Sequence, residues 1–128
     1  MKKLVTATLA IALMLGATAS GSIDRSDVCY PPRFVRTIKD PIVVKPRDPV
    51  SFSLLYSGSQ PIDVRFDVLT APWDVITLDN TIMMVSNSDI FFMIKDVGDT
   101  DTSILLRFQL SNRCGTVSTT VRIDIRRS

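Results

Sequence analysis

Glutamate and histidine are both missing from this 128-residue chain, and each of its 13 acidic residues is aspartate. Without histidine, Ser-His-Asp and Cys-His catalysis are excluded, along with the commonest metal ligand. Without glutamate there is no Glu/Asp acid–base couple, and no pair of aspartates is marked by spacing. The five glycines are scattered, so no loop is built to cradle phosphate. Two cysteines without histidine make a poor zinc set. No Asn-x-Ser/Thr acceptor for an N-glycan occurs. Beyond residue 19 the only alanine is Ala71. Alanine and glutamate are strong helix formers, and their scarcity argues against helices. The inventory implies a protein that is not an enzyme and carries no cofactor or metal.

The first residues form a separate segment. Met1-Lys2-Lys3 is basic, Leu4 to Leu15 is apolar, and Ala17-Thr18-Ala19 is a small-x-small site. That is the pattern of a secretory signal peptide over 1–19. Its apolar run is shorter than the roughly 20 residues a membrane-spanning helix needs, and no cysteine follows it to take a lipid. The expectation is an exported chain with no membrane insertion, about 109 residues long, which is enough for one core. Two of the 15 basic residues leave with the leader, so basic and acidic residues then balance at 13 each. A neutral chain with no basic run argues against nucleic-acid binding.

Val, Ile, Thr, Phe and Asp fill the rest, a mixture suited to short strands joined by turns. Ile62-Asp63-Val64-Arg65-Phe66-Asp67-Val68 alternates apolar and charged residues without a miss, the period-2 pattern of a half-buried strand. Val50 to Tyr56 and Val117 to Ile125 alternate similarly, and Ile104 to Leu110 leads into the last hairpin. Shorter strands are expected at Phe34 to Ile38, Ile42 to Val44, Val75 to Leu78, Thr81 to Val85 and Ile90 to Ile94. Asp40-Pro41 separates the first two, since proline interrupts a ladder. Val97 to Asp101 reads as a Gly/Asp corner. Seven to nine short strands with turn signals about every 8–12 residues predict an all-β two-sheet sandwich.

The order of these segments resembles an intermediate-type immunoglobulin domain. "PVSFSLLYSGSQPIDVRF" is similar to its strands B and C, "FFMIKDVGDTD" to strand E and the E–F corner, and "LRFQLSNRCGTVSTTVRIDI" to the F–G hairpin. The resemblance runs from about Pro32 to Ile125. It places Leu54 and Phe108 where the family has its strand B and F cysteines, Phe66 in place of the strand C tryptophan, and Leu106 near the corner tyrosine. A cluster of large apolar residues in place of the inter-sheet disulfide keeps the core volume. The resemblance divides the chain into a signal peptide 1–19, an N-terminal segment 20–31 and an immunoglobulin-like domain 32–128.

The resemblance also bears on the cysteines. In such a domain Cys29, just ahead of the first strand, and Cys114, in the F–G turn, lie at the same end of the sandwich. A Cys29–Cys114 disulfide is therefore expected in an oxidising compartment. The competing reading is two free thiols or an intermolecular bridge.

Three further groups are weighed for binding. If Phe92 and Ile94 face the core, Phe91 and Met93 face outward beside Met83 or Met84, and an exposed aromatic-methionine patch marks a partner surface. The alternative is that another loop or the N-terminal segment covers them. Trp73 is either packed on the sandwich, the preferred role, or an exposed anchor for a partner. Asp96, Asp99 and Asp101 could offer oxygens to Ca²⁺, but the spacing fits a solvated corner better, with Asp101 bonding local backbone. The chain looks like the small secreted one-immunoglobulin-domain proteins of invertebrate animals. That likeness implies binding to an extracellular or cell-surface protein in recognition, adhesion or synapse and receptor organisation. The rival reading is a bacterial periplasmic or secreted structural or adhesive β-sandwich, because exported bacterial modules share the "NRCGTV" style of turn.

Overall fold

The computed structural model describes residues 28–127; the expected leader and most of the N-terminal segment lie outside them. Eight strands follow in order: β1 Arg33–Arg36, β2 Ile42–Val44, β3 Val50–Ser57, β4 Asp63–Thr70, β5 Thr81–Val85, β6 Asp89–Ile94, β7 Ser103–Asn112 and β8 Gly115–Ile125. They form two four-stranded sheets, β1-β3-β6-β5 and β2-β8-β7-β4. All pairings are antiparallel except β2 with β8, where Ile42 lies beside Ile123 and Val44 beside Ile125. Among the described residues no helix is long and apolar enough to cross a membrane.

Alternation decides which side of each strand is buried. On β3, Val50, Phe52, Leu54 and Tyr56 point inward, and on β7 Ile104, Leu106, Phe108 and Leu110 are fully buried. Val64 and Phe66 of β4, Ile90, Phe92 and Ile94 of β6, and Val121, Ile123 and Ile125 of β8 complete the interior. Phe52, Phe66, Phe92 and Phe108 pack at its centre. Phe66 and Phe92 have ring centroids 5.0 Å apart, and Phe108 meets Phe52 edge-on at 5.9 Å. Leu54, Phe66 and Phe108 thus occupy the middle of the sandwich, as the resemblance implies.

Two strand expectations change. Val75 to Leu78 is not a strand, although Val75 and Ile76 are buried. Its backbone is spent on local turns, with Val75 N–H donating to Pro72 C=O, Thr77 N–H to Val75 C=O and Asn80 N–H to Thr77 C=O. These bonds fold the segment back on itself, and it inserts two side chains into the core as a plug. The first strand ends at Arg36 rather than Ile38, because the chain leaves one sheet there and reaches the other at Ile42, with Ile38 packed against the core on the way. The Val97–Asp101 corner forms around Gly98 at φ +90°, whose carbonyl accepts from Arg47 N–H at 2.8 Å.

Candidate functional site

One end of the sandwich is tied together. Cys29 and Cys114 form a disulfide with Cα atoms 6.0 Å apart. Around it, Tyr30 and Ser59 exchange bonds: Tyr30 N–H donates to Ser59 Oγ at 2.8 Å, and Ser59 N–H donates to Tyr30 C=O at 3.0 Å. The Asn112 amide donates to Tyr30 C=O at 2.9 Å and to Ser59 C=O at 2.8 Å, while its Oδ1 accepts from Cys114 N–H at 2.8 Å. One side chain therefore joins the segment before β1, the β3–β4 loop and the β7–β8 turn. Nothing in the sequence around Asn112 signals this role. Its partners lie 82 and 53 residues away, and no local pattern encodes them.

The outer faces of the two sheets differ in chemistry. On β2-β8-β7-β4 the outer face is mostly polar, with Asp63, Arg65, Arg107, Gln109, Ser118, Thr120 and Arg122 among its residues and with Val43 and Leu105 as apolar exceptions. Arg107 pairs with Asp67 at 2.9 Å. On β1-β3-β6-β5 the outer face turns apolar toward β5. Phe91 sits between Ser53 and Met84, and Met93 between Ser51 and Ile82. Phe91 and Met93 are half-buried, Ile82 is 36% exposed and Met84 58% exposed. Met84, not Met83, is the outward methionine; Met83 packs against the core.

Trp73 is 68% exposed, which corrects the expectation that it packs on the sandwich. It lies in the β4–β5 connection with Leu78, at the end opposite the disulfide, so the fold does not place it beside the tied end. The connection is anchored by Asn80, whose amide donates to Val75 C=O at 2.7 Å and Asp96 C=O at 2.8 Å, and by the buried Val75 and Ile76. Those two fill the core sites of this connection, leaving the indole outside.

The three corner aspartates are each engaged by protein donors. Asp96 accepts from Gly98 N–H at 2.9 Å and faces Arg47 at 3.6 Å. Asp99 pairs with Arg127 at 3.2 Å. Asp101 accepts from Arg127 N–H at 3.0 Å, so its partner is a backbone group 26 residues away and not a local one. Among the described residues no cluster of three or more potential metal ligands forms.

Among the described residues, two titratable groups are displaced from their ordinary range, and structural partners account for both. The Arg122 hydrogen bond, then that of Ser103, hold the Asp124 carboxyl below the usual carboxylate range, aided by the charges of Arg122 and Arg126. Burial raises the Tyr56 phenol, with the nearby Asp89 charge adding to it; the hydroxyl donates to Ser86 C=O.

Solved structures with the same architecture decide the fold. A chimeric titin Z1Z2 matches over 77% of this chain and 97% of its own, with a TM-score of 0.63 at 15% identity. The titin M3 domain matches over 77% and 99%, with a TM-score of 0.61 at 18% identity. The fold is immunoglobulin-like. The titin M10 complex with obscurin-like 1 matches over 77% and 95% (TM-score 0.61, 13% identity), and titin Z1Z2 in complex with telethonin over 77% and 49% (TM-score 0.65, 17% identity). No family model matches the sequence, and no curated protein does. In this immunoglobulin-like domain the crosslink stands at one end of the sandwich, and phenylalanine and leucine fill the sites of the usual inter-sheet bridge.

Proposed function

We propose that this chain is an exported, single-domain immunoglobulin-like protein that works by binding another protein, in extracellular recognition, adhesion or receptor organisation, without catalysis. The observation that carries the reading is the asymmetry of the two outer faces. A contiguous apolar row, Met84–Phe91 and Ile82–Met93, lies on one sheet, opposite a charged and hydroxylated face on the other. Exposed apolar area with aromatic and methionine side chains is the composition of partner surfaces. The similar titin structures include complexes with telethonin and with obscurin-like 1, and this use of the same fold in titin supports the reading. The Cys29–Cys114 disulfide favours an oxidising compartment, consistent with the leader pattern at 1–19.

The test is capture from native extracellular material with wild type, Phe91→Asp and Met93→Asp. Both side chains point away from the core, so the variants retain the wild-type circular dichroism spectrum. Capture falls at least about tenfold, as loss of a central apolar anchor implies. Unchanged capture by folded variants takes this face out of the binding surface. Mature material should also be lighter than the reduced chain by the two thiol hydrogens; free thiols in exported material refute the oxidised, exported reading.

A further inference from the structure

Four strands form the edges of the two sheets: β1 and β5 of one, β2 and β4 of the other. Natural sheets guard such edges with charge, proline or brevity, because unpaired backbone invites another strand. Three of the four are guarded. β1 carries Arg33 and Arg36 behind two prolines, β2 is three residues long between Pro41 and Pro46, and β4 carries Asp63, Arg65 and Asp67. β5 reads Thr-Ile-Met-Met-Val, with no charge and no proline.

Its backbone is also correctly phased for pairing. The β5–β6 ladder continues as Lys95 N–H donating to Asn80 C=O at 2.8 Å and Ser86 N–H donating to Asp89 C=O at 2.9 Å. Antiparallel ladders alternate, so the even-numbered residues of β5 bond to β6. The N–H and C=O groups of Thr81, Met83 and Val85 therefore point off the sheet, and they take part in no loop or turn bond among the described residues.

We propose that β5 is a self-pairing edge: two copies of this chain join antiparallel about a two-fold axis at Met83, fusing their sheets into one. Centred there, Met83 faces its own mate and Thr81 faces Val85, and each pair exchanges both of its bonds. Every outward-pointing group of the strand is then satisfied. On the outer face Ile82 lies opposite Met84 of the other copy, at the sites where facing side chains come closest. A two-fold contact requires a patch complementary to itself. A charged strand such as β1 repels its own copy, whereas β5 sets apolar against apolar and needs no countercharge from a different protein. Ile82 and Met84 also belong to the apolar row proposed above as a partner surface, but self-pairing is read from the mass of the chain alone and the partner contact from capture at Phe91 and Met93, so either can fail without the other.

The test is sedimentation of the mature, disulfide-bonded chain between about 1 and 100 μM, the range of weak association. Wild type sediments with twice the mass of the chain. Ile82→Lys/Met84→Lys places like charges opposite each other across the axis, and Ile82→Asp/Met84→Asp does the same. Each raises the dissociation constant at least about tenfold, and mixing the two restores a dimer containing one of each. Both positions face solvent, and intact circular dichroism confirms that the variants fold. A monomeric wild type throughout this range, a dimer indifferent to both variants, or a mixture that stays monomeric overturns the proposal.

Discussion

Phe66 on β4 lies directly across the ladder from Phe108 on β7, their ring centroids 5.2 Å apart. These are the positions where an immunoglobulin domain is expected to hold its strand C tryptophan and strand F cysteine, and here both belong to an aromatic cluster with Phe52 and Phe92. Phe108 is fully buried. Phe108→Ala should cost about 3–5 kcal/mol, the usual range for emptying a buried aromatic site. Phe108→Leu, which keeps most of the volume, should cost clearly less. Urea unfolding of both variants under oxidising conditions checks the order. Equal losses would mean that the cluster relaxes around the gap and does not hold the sheets by shape.

The same geometry separates crosslink from core. In the loop-entropy model, a bridge over the 85-residue separation of Cys29 and Cys114 constrains the unfolded chain by about 4.6 kcal/mol. A bridge between positions 54 and 108 would give about 4.2 kcal/mol in the same model. Moving the crosslink to the end of the sandwich thus sacrifices no entropy and frees the centre for packing. Cys29→Ser/Cys114→Ser should lose about 2–5 kcal/mol yet retain a cooperative transition, since no core side chain changes. Loss of cooperative unfolding in the double variant would show that the core does not suffice.

Asp124 links stability to acid. It is 4% exposed, bonded by Arg122 and Ser103 at 2.8 Å each and by Arg126 at 3.3 Å. The Arg122 bond first, then that of Ser103, depress its pKa in the folded state. The folded chain therefore holds its proton less tightly than the unfolded chain. The resulting stabilisation is full above the unfolded value of about 3.9 and is lost as pH falls toward the lower folded value. Wild type should lose melting temperature more steeply than Asp124→Asn below about pH 4. Parallel curves for the two would assign the acid sensitivity to other carboxylates.

How much of this was readable depends on the range of the interaction. The alternation of Ile62 to Val68 is local, and it puts Val64 and Phe66 of β4 on the buried face. The expected strand at Thr81 to Val85 has the bounds of β5. Val75 to Leu78 misled because two buried β-branched residues look alike in a strand and in a turn that plugs a core. Trp73 misled because loop position says nothing of which neighbours already fill the core. The disulfide followed from the family resemblance, which brought two distant cysteines to one end. Asn112 did not, because its acceptors are backbone carbonyls of Tyr30 and Ser59, and a carbonyl carries no sequence signal.

The last prediction concerns that tied end. Gly58 adopts φ +146°, and a Cβ there would lie 2.8 Å from Pro32 Cα and 3.1 Å from Pro31 C=O. The contact is with backbone, which cannot swing aside as a side-chain tip can. Gly58→Ala must therefore push the Pro31-Pro32 segment off the β3–β4 loop, against the Cys29–Cys114 bond and the Asn112 bonds that hold it there. The cost should be about 1–3 kcal/mol. Asn112→Ala should lose a similar amount, about 1–3 kcal/mol, by leaving the Ser59 carbonyl and the Cys114 N–H without their partner and the Tyr30 carbonyl with only the Ser59 N–H. Both variants should accelerate hydrogen exchange at the Tyr30 and Ser59 amides while leaving β7 amides such as Phe108 protected. Unchanged exchange at Tyr30 and Ser59 in both variants would mean that the disulfide alone fixes this end. Faster exchange with the disulfide intact assigns the anchoring of the segment before β1 and of the β3–β4 loop to Asn112 and the close approach at Gly58.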